Sequence, residues 1–191
     1  MRFNFFITNS STIIKSFFND QVKLLELEKH TDKRGYFVES YNYKDFKKIG
    51  INKSFLQDNE SFSKNIGTLR GLHIQKNPMH QSKLISVKRG SILDVFVDMR
   101  KDSKTFGKHL KVVLKESDNY VLYLPYNFAH GFCTLKINTL VNYKTSNYYS
   151  PKDEITIKFD DTKLNIKWPK VLNTKYLSIK DKNGKSIDEL K

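Results

Sequence analysis

The sequence predicts an all-β chain that closes as a jelly roll. From Val22 onward, short runs rich in β-branched and aromatic residues recur at regular spacing: VKLLELE, KLISVK, ILDVFVDM, HLKVVL, YVLYLP, TLVNYK and EITIKF. Gly90 punctuates a hairpin predicted between KLISVK and ILDVFV. The 191 residues suffice for one sizeable domain with a real core, and neither a repeat nor a low-complexity linker divides them. Antiparallel strands in this number close most simply as a jelly roll, which removes or protects sheet edges and leaves a cavity between its layers.

Taken in order, the N-terminal MRFNFFITNSSTIIKSFFND is apolar only in patches, broken by Asn4, by residues 9–12 and by Lys15. It lacks the continuous apolar core of a signal peptide, and nothing later approaches a membrane span, so a cytoplasmic chain is expected. Residues 1–21 are expected to form an N-terminal arm, as a strand or as an extension onto a neighbouring subunit. Asn42 to Ile49, ended by Gly50, predicts a short helix on the outside. Residues 1–191 are read as one domain, with residues 170–191 as its C-terminal segment.

The net charge of +14 invites a nucleic-acid reading. Only Arg2, Arg34, Arg70, Arg89 and Arg100 among the 34 basic residues are arginine, and the lysines are scattered without a basic tail or stripe. That is a compositional bias, and no nucleic-acid partner is expected. The lone Cys133 cannot form an internal disulfide, which fits a reducing compartment, and HGFCTL places it in a buried strand.

The stretch with the densest chemistry is GTLRGLHIQ, residues 67–75. On an extended strand Leu69, Gly71 and His73 share one face, and Arg70, Leu72 and Ile74 the other. His73 is therefore a candidate for the barrel interior, where Gly71 leaves room for a ligand to approach the backbone. Lys83 alternates with Ile85 and Val87, which aims an ammonium along an apolar face, a costly placement unless it meets negative charge. Tyr143 shares a face with Val141 in TLVNYK.

Seven motifs fall in one order: DKRGYFVES (32–40), FLQDN (55–59), LRGLHIQ (69–75), KLISV (83–87), LPYNFAHGF (124–132), YKTSNYYSP (143–151) and LSIKD (177–181). Together they resemble the dTDP-4-dehydrorhamnose 3,5-epimerase family of nucleotide-sugar 3,5-epimerases, from about Asp32 to Asp181. The resemblance implies a cupin-type double-stranded β-helix and a homodimer in which the N-terminal part reaches across to the other subunit.

Many cupins hold a metal through His-x-His, a following Glu and a distant His. Here the pattern reads His73, Ile74, Gln75, no Glu follows closely, and only His130 stands at the distant position. Gln is a poor replacement for imidazole, and His80 lies in the loop KNPMHQ, where it is expected to be solvated. No metal and no cofactor are expected, so the chemistry falls to side chains. Inverting a carbon beside a ketone needs a base, a cation or donor for the enolate oxygen, and an acid on the opposite face.

The resemblance implies His73 as base, with Asp181 fixing its tautomer, Lys83 as the enolate's partner and Tyr143 as acid. A phenol with a pKa near ~10 donates at neutral pH but is hardly a base. It also implies Arg34 and Arg70 on the diphosphate, where a bidentate guanidinium suits best. Phe37, Glu39, Gln57 and Asn59 fall around sugar and nucleotide, His130 near the hexose, and Glu154 and Lys180 beside them. Tyr148 or Tyr149 stacks on the base. Where the family usually has Gly, this chain has Asn127, expected to accept a left-handed backbone. FDDTKLNIKWP, with Phe159, Asp160 and Asp161, replaces a commoner Trp-Asn-Asp start.

The implied reaction is inversion of carbon 3 and carbon 5 of a nucleotide-linked 4-keto-6-deoxy sugar, dTDP-4-dehydro-6-deoxyglucose giving dTDP-4-dehydrorhamnose. Inversion at carbon 3 alone, and a GDP-heptose substrate, remain open within the family. Outside it stand a metal-dependent cupin and a non-catalytic binding protein.

Overall fold

A computed structural model describes residues 11–190. The strands are β1 (Ser11–Phe17), β2 (Val22–Leu27), β3 (Lys29–Asp32), β4 (Gly35–Val38), β5 (Gln57–Ser63), β6 (Leu69–Gln75), β7 (Lys83–Arg89), β8 (Ser91–Asp98), β9 (His109–Lys115), β10 (Tyr120–Leu124), β11 (Phe128–Thr134), β12 (Thr139–Thr145) and β13 (Glu154–Thr156). They form a six-stranded sheet, β1-β2-β10-β7-β12-β5, and a five-stranded sheet, β13-β6-β11-β8-β9, with β3 and β4 as a separate hairpin. This mostly-β architecture is the jelly roll expected from the repeated strand signals.

Alternation along the strands produces the packing. Ile85, Val87, Leu122, Leu124 and Val141 from the first sheet meet Ile92, Phe96, Phe128 and Phe132 from the second in the central core. Each fully buried aliphatic or aromatic side chain contributes about 1.5–3 kcal/mol, so this layer dominates the stability. The outer face of the six-stranded sheet is covered by Phe46, Ile49 and Ile51, which pack on Leu25, Leu84, Val121 and Tyr123. Phe46 belongs to helix α1 (Tyr43–Lys48), whose N-cap Asn42 accepts from the amides of Lys44 and Asp45 and whose last turn carries Lys47 and Lys48. On the far side, Ile157, Leu164 and Ile166 from the stretch after β13, with Ile187 of the C-terminal segment, cover Leu72, Val95, Val97 and Ala129. Asp161 pins that segment by accepting from the amides of Lys163, Leu164 and Ile187 and from the Ser186 hydroxyl.

Several sequence expectations change in detail. The turn at Gly90 is not a hairpin: β7 pairs with β10 and β12, whereas β8 pairs with β9 and β11. Gly90 instead carries the chain from one sheet to the other at φ +81°, and a Cβ there would collide with Thr139 Oγ1. Only residues 154–156 of EITIKF pair as a strand. Asn127 is absent from the left-handed region: its carbonyl accepts from the Met99 amide, and Phe128 N bonds Pro125 O, so the turn closes with ordinary backbone. Of the N-terminal arm, residues 11–17 are the edge strand β1 on β2 of the same chain, and residues 1–10 lie outside the described residues. Cys133 is fully buried on β11, as expected, and burial pushes its thiol up to about 11. Among the described residues no helix is long and apolar enough to cross a membrane.

Candidate active site

A cavity of about 450 Å³ opens between the two sheets. Cross-strand register builds one wall: Tyr143 stands between Asn59 and Ile85, and Thr145 between Gln57 and Lys83. Because Lys83 alternates with Ile85 and Val87, its side chain enters the cavity while Leu84 turns outward. Arg70 and His73 on β6, His130 and Phe132 on β11 and Glu154 on β13 form the opposite wall.

Strict alternation would have separated Arg70 from His73, yet both line the cavity. The cause is a bulge: β11 advances two residues, His130 to Phe132, while β6 advances three, His73 to Arg70. Gly71 sits in the bulge at φ +112°, and a Cβ on it would lie 2.5 Å from Gly131 Cα. Two glycines thus let the strands close while an extra residue swings Arg70 inward.

The C-terminal segment supplies the rim. Helix α2 (Ile179–Lys182) begins at Ser178, whose hydroxyl accepts from the Asp181 amide at 3.1 Å and donates to Asp181 Oδ2 at 2.8 Å. Asp181 is thereby aimed at His73, with 2.6 Å between Oδ1 and Nε2. A carboxylate only accepts, so Nε2 carries a proton, and in the neutral ring Nδ1 is the atom with the free lone pair. Burial would raise the Asp181 carboxyl, but the bonds from His73 and Ser178 prevail and hold it below its usual range. Glu154 Oε1 lies 3.7 Å from His73 Nδ1, while its Oε2 accepts from Lys180 Nζ at 2.7 Å and from Tyr149 Oη at 3.0 Å. Burial would raise Glu154 as well, and Lys180, His73 and Tyr149 together hold it low.

Lys83 is desolvated by the walls, which brings its ammonium down to about 8 despite the favourable charges of Glu154 and Asp94. Burial pushes the Tyr143 phenol above 10.0, so it is protonated at neutral pH. His130 Nε2 bonds Asp94 Oδ2 at 2.8 Å, with both side chains buried.

The structure brings His73, Tyr143, Asp181, Lys83, Gln57, Asn59, Arg70, His130, Glu154 and Lys180 to one cavity. Arg34, Phe37 and Glu39 do not line it. Arg34 pairs with Asp32, Glu39 accepts from Asn42 Nδ2, and Phe37 is 68% exposed on the β3–β4 hairpin. Of the two tyrosines, Tyr149 lines the cavity and Tyr148 does not. His80, expected to be solvated, is half-buried: its ring lies against Tyr126 with centroids 4.2 Å apart and a 41° tilt, and its Nδ1 is buried. Among the described residues no three His, Cys, Asp or Glu side chains converge as metal ligands. Sequence reasoning missed Asp94 and Ser178, although ILDVFVD sets an aspartate on the face of Ile92 and Phe96, and SIKD is an N-cap pattern.

The sequence pattern of the family described as dTDP-4-dehydrorhamnose 3,5-epimerase matches residues 19–189. The chain belongs to the dTDP-4-dehydrorhamnose 3,5-epimerase family. It is 43% identical over 170 residues to the dTDP-4-dehydrorhamnose 3,5-epimerase of Sinorhizobium fredii, covering 89% of this chain and 87% of that one. The crystal structure of the Bacillus anthracis dTDP-4-dehydrorhamnose 3,5-epimerase, with TDP and pyrophosphate bound, superposes with a TM-score of 0.88 at 44% identity, over 93% of this chain and 99% of that one. The Legionella pneumophila dTDP-6-deoxy-D-glucose-3,5-epimerase, in complex with dTDP-4-keto-L-rhamnose, gives 0.86 at 37% identity, over 94% and 96%. The family's cupin-like jelly roll is the two-sheet architecture described above.

Proposed function

We propose that the chain is a cofactor-independent isomerase that epimerises carbon 3 and carbon 5 of dTDP-4-dehydro-6-deoxyglucose to give dTDP-4-dehydrorhamnose. The observation that carries this reading is the placement of His73 and Tyr143 on opposing sheets of one cavity, with Lys83 on its wall. The 4-keto group acidifies the hydrogens on both neighbouring carbons, so one base and one acid on opposite faces can serve both centres. His73 Nδ1 takes the proton, Asp181 stabilises the imidazolium, Lys83 meets the charge on the enolate oxygen, and Tyr143 protonates the other face. Arg70 engages the diphosphate, with Gln57, Asn59, His130, Glu154 and Lys180 about the sugar and nucleotide and Tyr149 stacked on the base.

The expected result is the uptake of solvent deuterium at carbons 3 and 5 of dTDP-4-keto-6-deoxyglucose, read by NMR. No uptake would overturn the reading, and uptake at carbon 3 alone would restrict it. Lys83 adds a pH dependence. Its useful form is the ammonium, present below about 8 and lost above it, so kcat/KM is expected to fall as pH rises through that value.

The active form is read as a homodimer in the cytoplasm, a setting supported by the single buried thiol. Support for the dimer comes from the β3–β4 hairpin, whose Arg34, Tyr36 and Phe37 stand exposed outside their own cavity. The hairpin completes a second copy's site. Mixing Arg34→Ala chains with Tyr143→Phe chains tests this, because a mixed dimer then holds one intact site only if Arg34 acts across the interface. Partial recovery of activity is expected, and none would place Arg34 in its own chain's site or outside both.

A further inference from the structure

Asp94 lies on β8 with none of its surface exposed. Alternation with Ile92 and Phe96 aims it into the core between the sheets, behind the cavity wall. Its Oδ2 accepts from His130 Nε2 at 2.8 Å, and its Oδ1 has no hydrogen-bond partner among the described residues. A carboxylate stripped of water is costly unless opposite charge or hydrogen bonds answer it. Burial pushes this carboxyl above its ordinary value, and His130 and Lys83 offset only part of that rise.

The other acids near Lys83 are already engaged. Glu154 on β13 holds Lys180 of α2 at 2.7 Å, and Asp181 of α2 holds His73 of β6 at 2.6 Å. Arg70 on β6 and Tyr143 on β12 bring no negative charge at neutral pH. Burial pushes His130 down, so its imidazole is neutral and donates to Asp94 without cancelling the charge. Of the two acids whose charge favours the Lys83 ammonium, Glu154 acts first but is shared with Lys180, and Asp94, behind the wall, is the second.

We propose that Asp94 is a positioning residue of this site: it holds His130 with the proton on Nε2, and from behind the wall it adds its charge to that of Glu154 in favouring an ammonium on Lys83. The proposal rests on the reading of Lys83 as the enolate's partner. Because Asp94 stands behind the wall, substrate binding leaves its charge in place.

NMR of the full chain tests this without substrate. In the parent, the Asp94 carboxyl is expected to be ionised and His130 to be neutral with Nε2–H at neutral pH; a protonated Asp94 or the opposite tautomer would overturn the proposal. With labelled lysine, the Lys83 signal is identified by its loss in Lys83→Met. In Asp94→Asn the Lys83 midpoint is expected to fall below about 8. An unmoved midpoint overturns the proposal.

The basic limb of kcat/KM should move with it, whereas a purely structural role would lower Tm and leave the limb in place. If Asp94→Asn fails to fold, the parent spectra decide. A parent that takes up no deuterium refutes the epimerase reading, while the spectra still judge Asp94.

Discussion

Replacing His73 by Ala is expected to abolish deuterium uptake at both carbon 3 and carbon 5, with a loss of roughly 10²–10⁴-fold, the usual worth of a positioned general base. The size follows from geometry. Asp181 bonds Nε2 and fixes Nδ1 as the accepting atom, and His130, the neighbouring imidazole on that wall, is tied through its Nε2 to Asp94 behind it. Glu154 is near, but Lys180 and Tyr149 engage its Oε2 and hold it low, which makes it a weak base. Removing the imidazole leaves Asp181 with Ser178 as its remaining side-chain donor, so some stability is lost as well. Circular dichroism and the thermal midpoint separate that loss from the loss of chemistry. A folded His73→Ala chain that still exchanges at both carbons would remove His73 from the reaction.

How much of this was legible in the sequence depended on whether a feature is local. The strands β2, β7, β8, β9, β10 and β12 were readable because β-branched and aromatic runs report directly on a pleated, half-buried surface. The inward placement of Lys83 and Tyr143 followed from the same two-residue period. That period failed at Arg70, because the bulge at Gly71 depends on Gly131, sixty residues on, and pairing between distant strands leaves no local mark. It failed also at Gly90, where a glycine turn looks the same whether the strands pair or part into two sheets. The pairing of His73 with Asp181 spans 108 residues and was reached only through resemblance to a family. Asp94 is the reverse case: its signal stood in ILDVFVD, an acid on an apolar face, but its meaning required the imidazole of His130 and the ammonium of Lys83 that the fold brings to it.

Replacing Tyr143 by Phe should separate two events that His73→Ala removes together. Burial keeps the phenol protonated, so its role is to give a proton to the face opposite His73. Phe preserves the shape of the wall beside Asn59 and Ile85 and deletes the donor alone. His73 can still take the carbon 3 proton, exchange it with solvent and return a deuteron to the same face, with Lys83 holding the enolate in between. The expected product is therefore substrate labelled at carbon 3 with its configuration retained, while inversion falls by roughly 10²–10⁴-fold. NMR reads both quantities in one sample, label from the lost proton signal and configuration from the ring couplings. Inversion at the parent rate would remove Tyr143 as the acid. Equal loss of label and inversion would mean that removal and return of the proton cannot be uncoupled, and a free enolate held by Lys83 would then be the wrong intermediate.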